Sequence, residues 1–123
     1  MRTLPLATRI SFVLLATLAL ATHINAESSV EDLLEQPDAW FQSDAGRQTL
    51  ENLLSWQTPH GDWPKNIDTA KRPPSGDSGK RAGTFDNGAT VGELRVLARA
   101  YRITGDASYQ QAFLRGFDHI IKA

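Results

Sequence analysis

Residues 104–106 (TGD) constrain the fold most, because they separate two stretches that carry apolar residues at helical spacing. Gly105 suits the left-handed conformation that ends a helix, and Asp106 can cap the helix that follows. The apolar positions before this corner are Ala89, Leu94, Leu97, Ala98 and Tyr101, and those after it are Tyr109, Ala112, Phe113, Gly116, Phe117, Ile120 and Ile121. Two helices joined by so short a corner form an antiparallel hairpin with aromatic packing between them.

The chain before this hairpin also predicts helices. Ser43 can cap a helix that runs from Asp44 to about Trp56 and has an apolar stripe on one side. Residues 28–35 predict a shorter helix that Pro37 ends. No stretch alternates apolar and polar residues as a half-buried strand does, so the predicted class is all-α.

Residues 57–85 interrupt the helical pattern. We expect a fixed segment at 61–66 (GDWPKN) and a mobile excursion at 71–81, which is rich in Pro, Gly, Ser and charge. An irregular connection of this length is usually functional or disordered. Trp63 either folds back onto a helix or presents its indole face to a sugar, and Lys65 would add a charge for an anionic group.

Residues 83–90 (GTFDNGAT) lead into the helix before the corner, which is predicted to run from about Asn87 to Ile103. Asp86 or Asn87 is placed to cap that helix, because a short side-chain oxygen can accept from the N–H groups of the first turn. Ca²⁺ also takes oxygen ligands of this kind, although one carboxylate is far short of the roughly six to eight required. The residues alone leave a cap, a cation ligand and a sugar ligand open.

The first 26 residues have the order of a secretory signal peptide. Arg2 and Arg9 supply positive charge, residues 10–21 form an uncharged apolar run, and Ala26 is a small residue at the cut position. The run is shorter than the roughly 20 residues of a membrane span. We therefore expect cleavage to leave a domain at 27–123, secreted to the periplasm or outside the cell without stable membrane association. An uncleaved anchor is the alternative.

Charge and cysteine content narrow the function further. Cleavage would reduce the 13 basic residues to 11 against 14 acidic ones, for a net charge of −3. This balance argues against a nucleic-acid-binding protein, which needs a dense basic face. The chain has no cysteine, so disulfides do not stabilise it. The last residues still follow a helical pattern without a stop signal, and we expect a truncated chain.

Five segments, in order, resemble the start of the catalytic module of family 10 pectate lyases, from about residue 42 onward. They are 54–57 (LSWQ), 61–66 (GDWPKN), 83–90 (GTFDNGAT), 94–101 (LRVLARAY) and 104–109 (TGDASY). The resemblance implies an α/α toroid, a partial α/α barrel of helical hairpins, of which this chain would form the first few helices. The chain departs from the family pattern at Asp62, where a glycine is usual.

The resemblance also implies a reaction. The family cleaves polygalacturonate by β-elimination at alkaline pH: Ca²⁺ neutralises the carboxylate beside C5 of a galacturonate, and an arginine removes the C5 proton. By resemblance, Asp86 binds both Ca²⁺ and substrate, and Asn87, Lys65 and Asn66 line the substrate cleft. The family's arginine base follows the fourth helix, beyond Ala123, so we expect this chain alone to be inactive and a full-length protein to be monomeric.

Two other functions stay open from the sequence. An exported helical-repeat interaction module has units of about 34 residues, but residues 66–85 break that period and three or more units are normally needed. The start of another α/α-barrel sugar enzyme, such as a glycoside hydrolase with paired carboxylates, is the second alternative. If the chain forms the start of an α/α toroid, whether of a lyase or of a hydrolase, its few hairpins should leave apolar helix faces exposed.

Overall fold

A computed structural model describes residues 30–75 and 82–123. The predicted signal peptide at 1–26 and residues 76–81 of the predicted excursion lie outside the described residues. Within those ranges the chain forms α1 (Asp38–Gln42), α2 (Asp44–Ser55), α3 (Val91–Thr104) and α4 (Ala107–Lys122), with 3₁₀ helices at Val30–Glu35 and Asp86–Gly88. No strand occurs there, and extended backbone pairs only in an isolated antiparallel bridge between Trp63 and Thr84. The all-α class is confirmed.

The α3–α4 hairpin forms at the predicted corner. Gly105 has φ 70° and donates its N–H to the Tyr101 carbonyl at 2.8 Å, which ends α3. The Asp106 carboxylate accepts from the Ser108 N–H at 2.8 Å and caps α4. Hydrogen bonds from the Ser108 hydroxyl and N–H lower the pKa of Asp106. None of the helices in the described part of the chain is long and apolar enough to cross a membrane.

One hydrophobic core joins all four α-helices. Its fully or almost fully buried members include Phe41, Leu50, Leu53, Trp56, Trp63, Leu94, Val96, Leu97, Ala100, Tyr109 and Ala112. The buried face of α3 is turned by about one residue from the predicted one, so Ala98 and Tyr101 are exposed whereas Glu93 is buried. The physical reason is that α3 packs against α4 and also against the 3₁₀ helix Val30–Glu35, which covers a second side.

The helix starts show which predicted caps form. Ser43 accepts from the Gly46 N–H at 3.0 Å, so the predicted cap of α2 is confirmed. The prediction that Asp86 or Asn87 caps α3 is wrong, because α3 begins at Val91 and its cap position is Thr90. Thr90 has φ 67° and ψ −51°, which lie outside both helical regions, and this backbone stops the helix from extending toward Asp86.

Asn52 of α2 and Trp56, which directly follows α2, hold the loop after this helix. The Trp56 indole N–H donates to the Arg72 carbonyl at 2.6 Å, and the Asn52 amide donates to the Ala70 carbonyl at 3.1 Å. The predicted mobile excursion therefore does not begin at residue 71, because the backbone is anchored at Arg72. Among the described residues, α4 exposes the large apolar side chains Leu114, Phe117 and Ile121.

Candidate functional site

Trp63 anchors the segment 61–66 to α2. Its side chain has no exposed surface, and its indole N–H donates to the Leu53 carbonyl at 2.8 Å. A buried indole with a satisfied N–H is a core residue. Stacking of Trp63 on a sugar is therefore wrong, and the alternative prediction that it folds back onto a helix is confirmed.

The Thr90 hydroxyl joins this segment to residues 83–90. Its oxygen accepts from the Trp63 N–H at 2.8 Å, and the hydroxyl donates to the Thr84 carbonyl at 2.8 Å. The Thr84 N–H in turn donates to the Trp63 carbonyl at 2.9 Å. These three hydrogen bonds form a closed ring among Trp63, Thr84 and Thr90, which we call the threonine ring. It fixes the two loops relative to each other and to the start of α3.

The backbone of Thr90 is strained. A β-branched residue at φ 67° is a genuine outlier, and such a conformation costs on the order of 1–3 kcal/mol. Thr90 is fully buried, and its hydroxyl serves the two loops rather than the first turn of α3. Sequence reasoning missed this role because the side-chain oxygen of a threonine before a helix is expected to accept a hydrogen bond from an N–H group of the first turn.

The threonine ring places Lys65 beside Asp86. The Lys65 ammonium lies 3.0 Å from the Asp86 Oδ2, and the two side chains are 43% and 68% exposed. The Asp86 N–H donates to the Thr84 hydroxyl at 3.2 Å, which orients the backbone before the carboxylate. The structure thus brings together two of the four predicted site residues, which lie 21 positions apart in the sequence.

The other two predicted site residues flank this pair. Asn66 follows Lys65, is exposed, and has φ 59°, a left-handed conformation that asparagine tolerates better than most residues. The backbone of Asn87 lies in the 3₁₀ turn Asp86–Gly88, and its side chain lies outside the described part of the structure. Both residues are on the same two loops as Lys65 and Asp86.

The Lys65–Asp86 pair is suited to exchanging partners. An ion pair as exposed as this one contributes about 0–1 kcal/mol to stability, so a ligand can separate it at little cost. The ammonium would then bind an anionic group, and the carboxylate would bind a hard cation or a hydroxyl group. Asp86 can supply one ligand of a calcium site. Residues 30–75 and 82–123 hold no group of three or more His, Asp or Glu side chains that could complete it.

Three described arginines are engaged away from this pair. Arg95 lies 3.4 Å from the Glu31 carboxylate, and Arg115 donates to the Gln57 amide oxygen at 2.6 Å. Arg99 binds the Asp38 carboxylate at 3.0 Å and the Gln36 carbonyl at 2.7 Å, and it stacks over the Phe41 ring. These contacts give the three guanidinium groups structural roles between helices and loops.

Glu93, three residues after Thr90 on α3, is a buried carboxyl group. The sequence pattern had placed it outside the packed face of this helix. One carboxyl oxygen lies 3.0 Å from the Thr69 hydroxyl, and the other is buried without a hydrogen-bond partner in the described residues. Burial raises the pKa of Glu93. Hydrogen bonds from its own backbone N–H, the Thr69 hydroxyl and the Thr90 N–H oppose that rise but do not cancel it.

Replacing Glu93 with glutamine should remove part of the pH dependence of stability. Because its folded-state pKa is raised, Glu93 contributes stability that is fully present below its unfolded pKa of 4.5 and is lost as pH rises through the folded pKa. As the pH is raised from 4.5 toward neutral, the unfolding free energy of wild type should therefore fall relative to that of Glu93→Gln. Urea unfolding across this range, with the exposed Glu35→Gln as control, tests the expectation; parallel curves for wild type and Glu93→Gln would contradict it.

Removing the Thr90 hydroxyl should loosen the two loops. Thr90→Val keeps the shape but leaves the buried Trp63 N–H without an acceptor, at a cost of about 1–3 kcal/mol. Thr90→Ser keeps the hydroxyl and should stay within about 1 kcal/mol of wild type. Urea unfolding and amide hydrogen exchange at Trp63 and Thr84 measure both effects. Equal stability and equal amide protection in the two variants would show that the hydroxyl does not hold the loops.

Comparisons with known proteins cover both loops of the candidate site. A family model described as pectic acid lyase matches residues 57–123, which include Lys65, Asp86 and Thr90. A solved family 10 polysaccharide lyase from Cellvibrio cellulosa is 32% identical over 69% of this chain and 25% of its own length, with a TM-score of 0.50. No curated protein matches the chain.

A second solved structure is a mutant of a family 10 polysaccharide lyase from Cellvibrio cellulosa in complex with trigalacturonic acid. It is 29% identical over 73% of this chain and 29% of its own length, with a TM-score of 0.51. The chain therefore spans between a quarter and a third of the length of the two structures that it resembles.

Proposed function

The chain belongs to the pectic acid lyase family, and on that premise we propose that it forms the N-terminal part of an exported pectate lyase that cleaves polygalacturonate. The resemblance to family 10 lyases is confirmed, and the helices form part of that family's α/α toroid. Membership of this family favours a lyase over a helical-repeat module or a glycoside hydrolase. Export still depends on the predicted signal peptide at residues 1–26.

The Lys65–Asp86 pair is the observation that carries the proposal. It lies within the matched region, it is exposed, and the threonine ring holds both of its loops. Opposite charges 3.0 Å apart can bind the two features of a galacturonate unit that matter here, its carboxylate and the cation that accompanies it. A relative that binds trigalacturonic acid supports a galacturonan as the substrate.

We assign the four predicted site residues to substrate and cation binding. Lys65 would bind a galacturonate carboxylate and fix the register of the polymer. Asp86 would supply one oxygen ligand to calcium, and the amide groups of Asn66 and Asn87 would bind sugar hydroxyls at the cleft wall. Calcium, when bound, would neutralise the carboxylate beside C5 and so make the C5 proton more acidic.

The base of a β-elimination would not come from the engaged arginines. Arg95, Arg99 and Arg115 already bind Glu31, Asp38 and Gln57, and freeing any of them would break a contact between elements. This portion of the enzyme would therefore bind and orient substrate, while an arginine elsewhere removes the proton. We propose that these 123 residues alone do not turn over polygalacturonate.

Calorimetric titration with trigalacturonic acid tests the binding role. Calcium should strengthen binding to wild type, and Asp86→Asn should lose about tenfold in affinity when calcium is present, because one ligand oxygen and one charge are removed. Lys65→Gln should weaken binding with or without calcium, since its partner is the sugar carboxylate. The matched control is Asp44→Asn, which removes an exposed, ion-paired carboxylate from α2.

Two results would contradict the proposal. Calcium-independent binding that Asp86→Asn leaves unchanged would remove Asp86 from the site. Steady formation of the unsaturated product from polygalacturonate, followed by its ultraviolet absorbance at alkaline pH, would show that the chain contains its own base.

A further inference from the structure

Three aromatic rings lie against one another beside Asp86. The centroid of the His119 ring on α4 is 5.4 Å from that of Phe85 and 6.0 Å from that of His60. Phe85 immediately precedes Asp86 and remains 38% exposed, although the other aromatic residue of these two loops, Trp63, is fully buried. We call Phe85, His119 and His60 the aromatic cluster. Phe85 connects it through the chain to Asp86, and His119 connects it to α4.

A buried carboxylate orients the cluster. The Asp62 side chain is only 8% exposed; its Oδ2 lies 3.3 Å from the His119 Nε2, and its Oδ1 accepts from the Thr58 hydroxyl. Asp62 fills the space in front of Gly83, where a Cβ would collide with the carboxyl group. Asp62 is therefore held from two sides and cannot easily turn away from His119. A buried acceptor of this kind fixes the ring plane of a histidine.

The contact with Asp62 favours one tautomer of His119. The Nε2 nitrogen faces the Asp62 carboxylate, which as an ion only accepts, so the contact favours a proton on Nε2. In neutral His119 the other nitrogen, Nδ1, is then an acceptor. His119 is partly exposed, at 31% of its side chain. The cluster thus combines an exposed apolar ring in Phe85 with a partly exposed imidazole in His119, whose Nδ1 can accept a hydrogen bond in that tautomer.

We propose that Phe85 and His119 form a further sugar subsite, which binds the pyranose ring next to the one held at Lys65 and Asp86. A galacturonate ring carries its C3, C4 and C5 hydrogens on one face, and that face can stack on Phe85 while a ring hydroxyl donates to His119. Asp62 is a positioning residue that acts through His119. The inference rests on the proposed function, because it assumes that a linear galacturonan passes Asp86.

The position of Phe85 in the chain supports a subsite next to Asp86. Consecutive units of a linear polymer occupy consecutive subsites, and Phe85 and Asp86 are consecutive residues at one exposed loop. The His60 ring stacks on the His119 ring, with centroids 6.0 Å apart.

The test compares digalacturonic and trigalacturonic acid, both titrated into the full chain with calcium by calorimetry. Wild type should bind the trimer more tightly than the dimer, and Phe85→Ala and His119→Gln should each remove most of that difference, a loss of about five- to tenfold for the trimer. Phe117→Ala, which removes an exposed aromatic ring from the same helix as His119, should keep it.

The outcomes separate the subsite from the proposed function. If wild type binds neither oligomer, the proposed function fails and the subsite with it. If wild type binds both but Phe85→Ala and His119→Gln keep the full preference for the trimer, the subsite alone is overturned. The ¹⁵N shifts of His119 give an independent readout of Asp62: they should report an Nε2–H tautomer in wild type and a mixture in Asp62→Asn. An unchanged tautomer in Asp62→Asn would overturn the positioning role.

Discussion

The hydroxyl group of Thr90 is the contact on which the candidate site depends. Through it, a residue at the start of α3 binds both the loop that carries Lys65 and the loop that carries Asp86. The cost of a positive φ at Thr90 is offset because the hydroxyl satisfies the buried Trp63 N–H and the partly buried Thr84 carbonyl, which would otherwise be expensive to leave unpaired. The strained residue thus lies at the point where the loops that carry Lys65 and Asp86 are held together.

This arrangement separates the rigid and the exchangeable parts of the site. The threonine ring, the Trp63 indole and the Asp62 carboxylate are buried and hydrogen-bonded, so they define where the loops lie. Lys65 and Asp86 stand on that support as an exposed pair with little mutual stabilisation. Because the two loops are fixed and the ion pair is weak, an anionic sugar can bind the site with little free-energy cost of reorganisation.

The sequence predicted what local chemistry determines. The caps at Ser43 and Asp106 and the left-handed Gly105 follow from side-chain and backbone preferences over a few residues, and all three form as expected. The resemblance drawn from short motifs also gave the right family. It singled out Asp86 and Lys65 as site residues, but their mutual contact emerged only from the structure.

Tertiary contacts decided the rest. Thr90 lies where a cap is expected, yet its hydroxyl binds partners 27 and 6 residues upstream, which no local rule describes. Trp63 is buried by α2, and Glu93 is buried because α3 is covered on two sides. The Asp62–His119 contact joins a loop to a helix 57 positions away, so neither residue had a visible partner in the sequence.

The central claim is that the two loops joined by Thr90 form one wall of a galacturonan site. Amide chemical shifts of the ¹⁵N-labelled chain, recorded during titration with trigalacturonic acid and calcium, test it most directly. The account predicts that the largest changes fall at residues 63–66 and 84–90, together with His119, and that α1 and the outer side of α2 stay unchanged. Changes confined to the exposed apolar side chains of α4, or no change at saturating ligand, would contradict it.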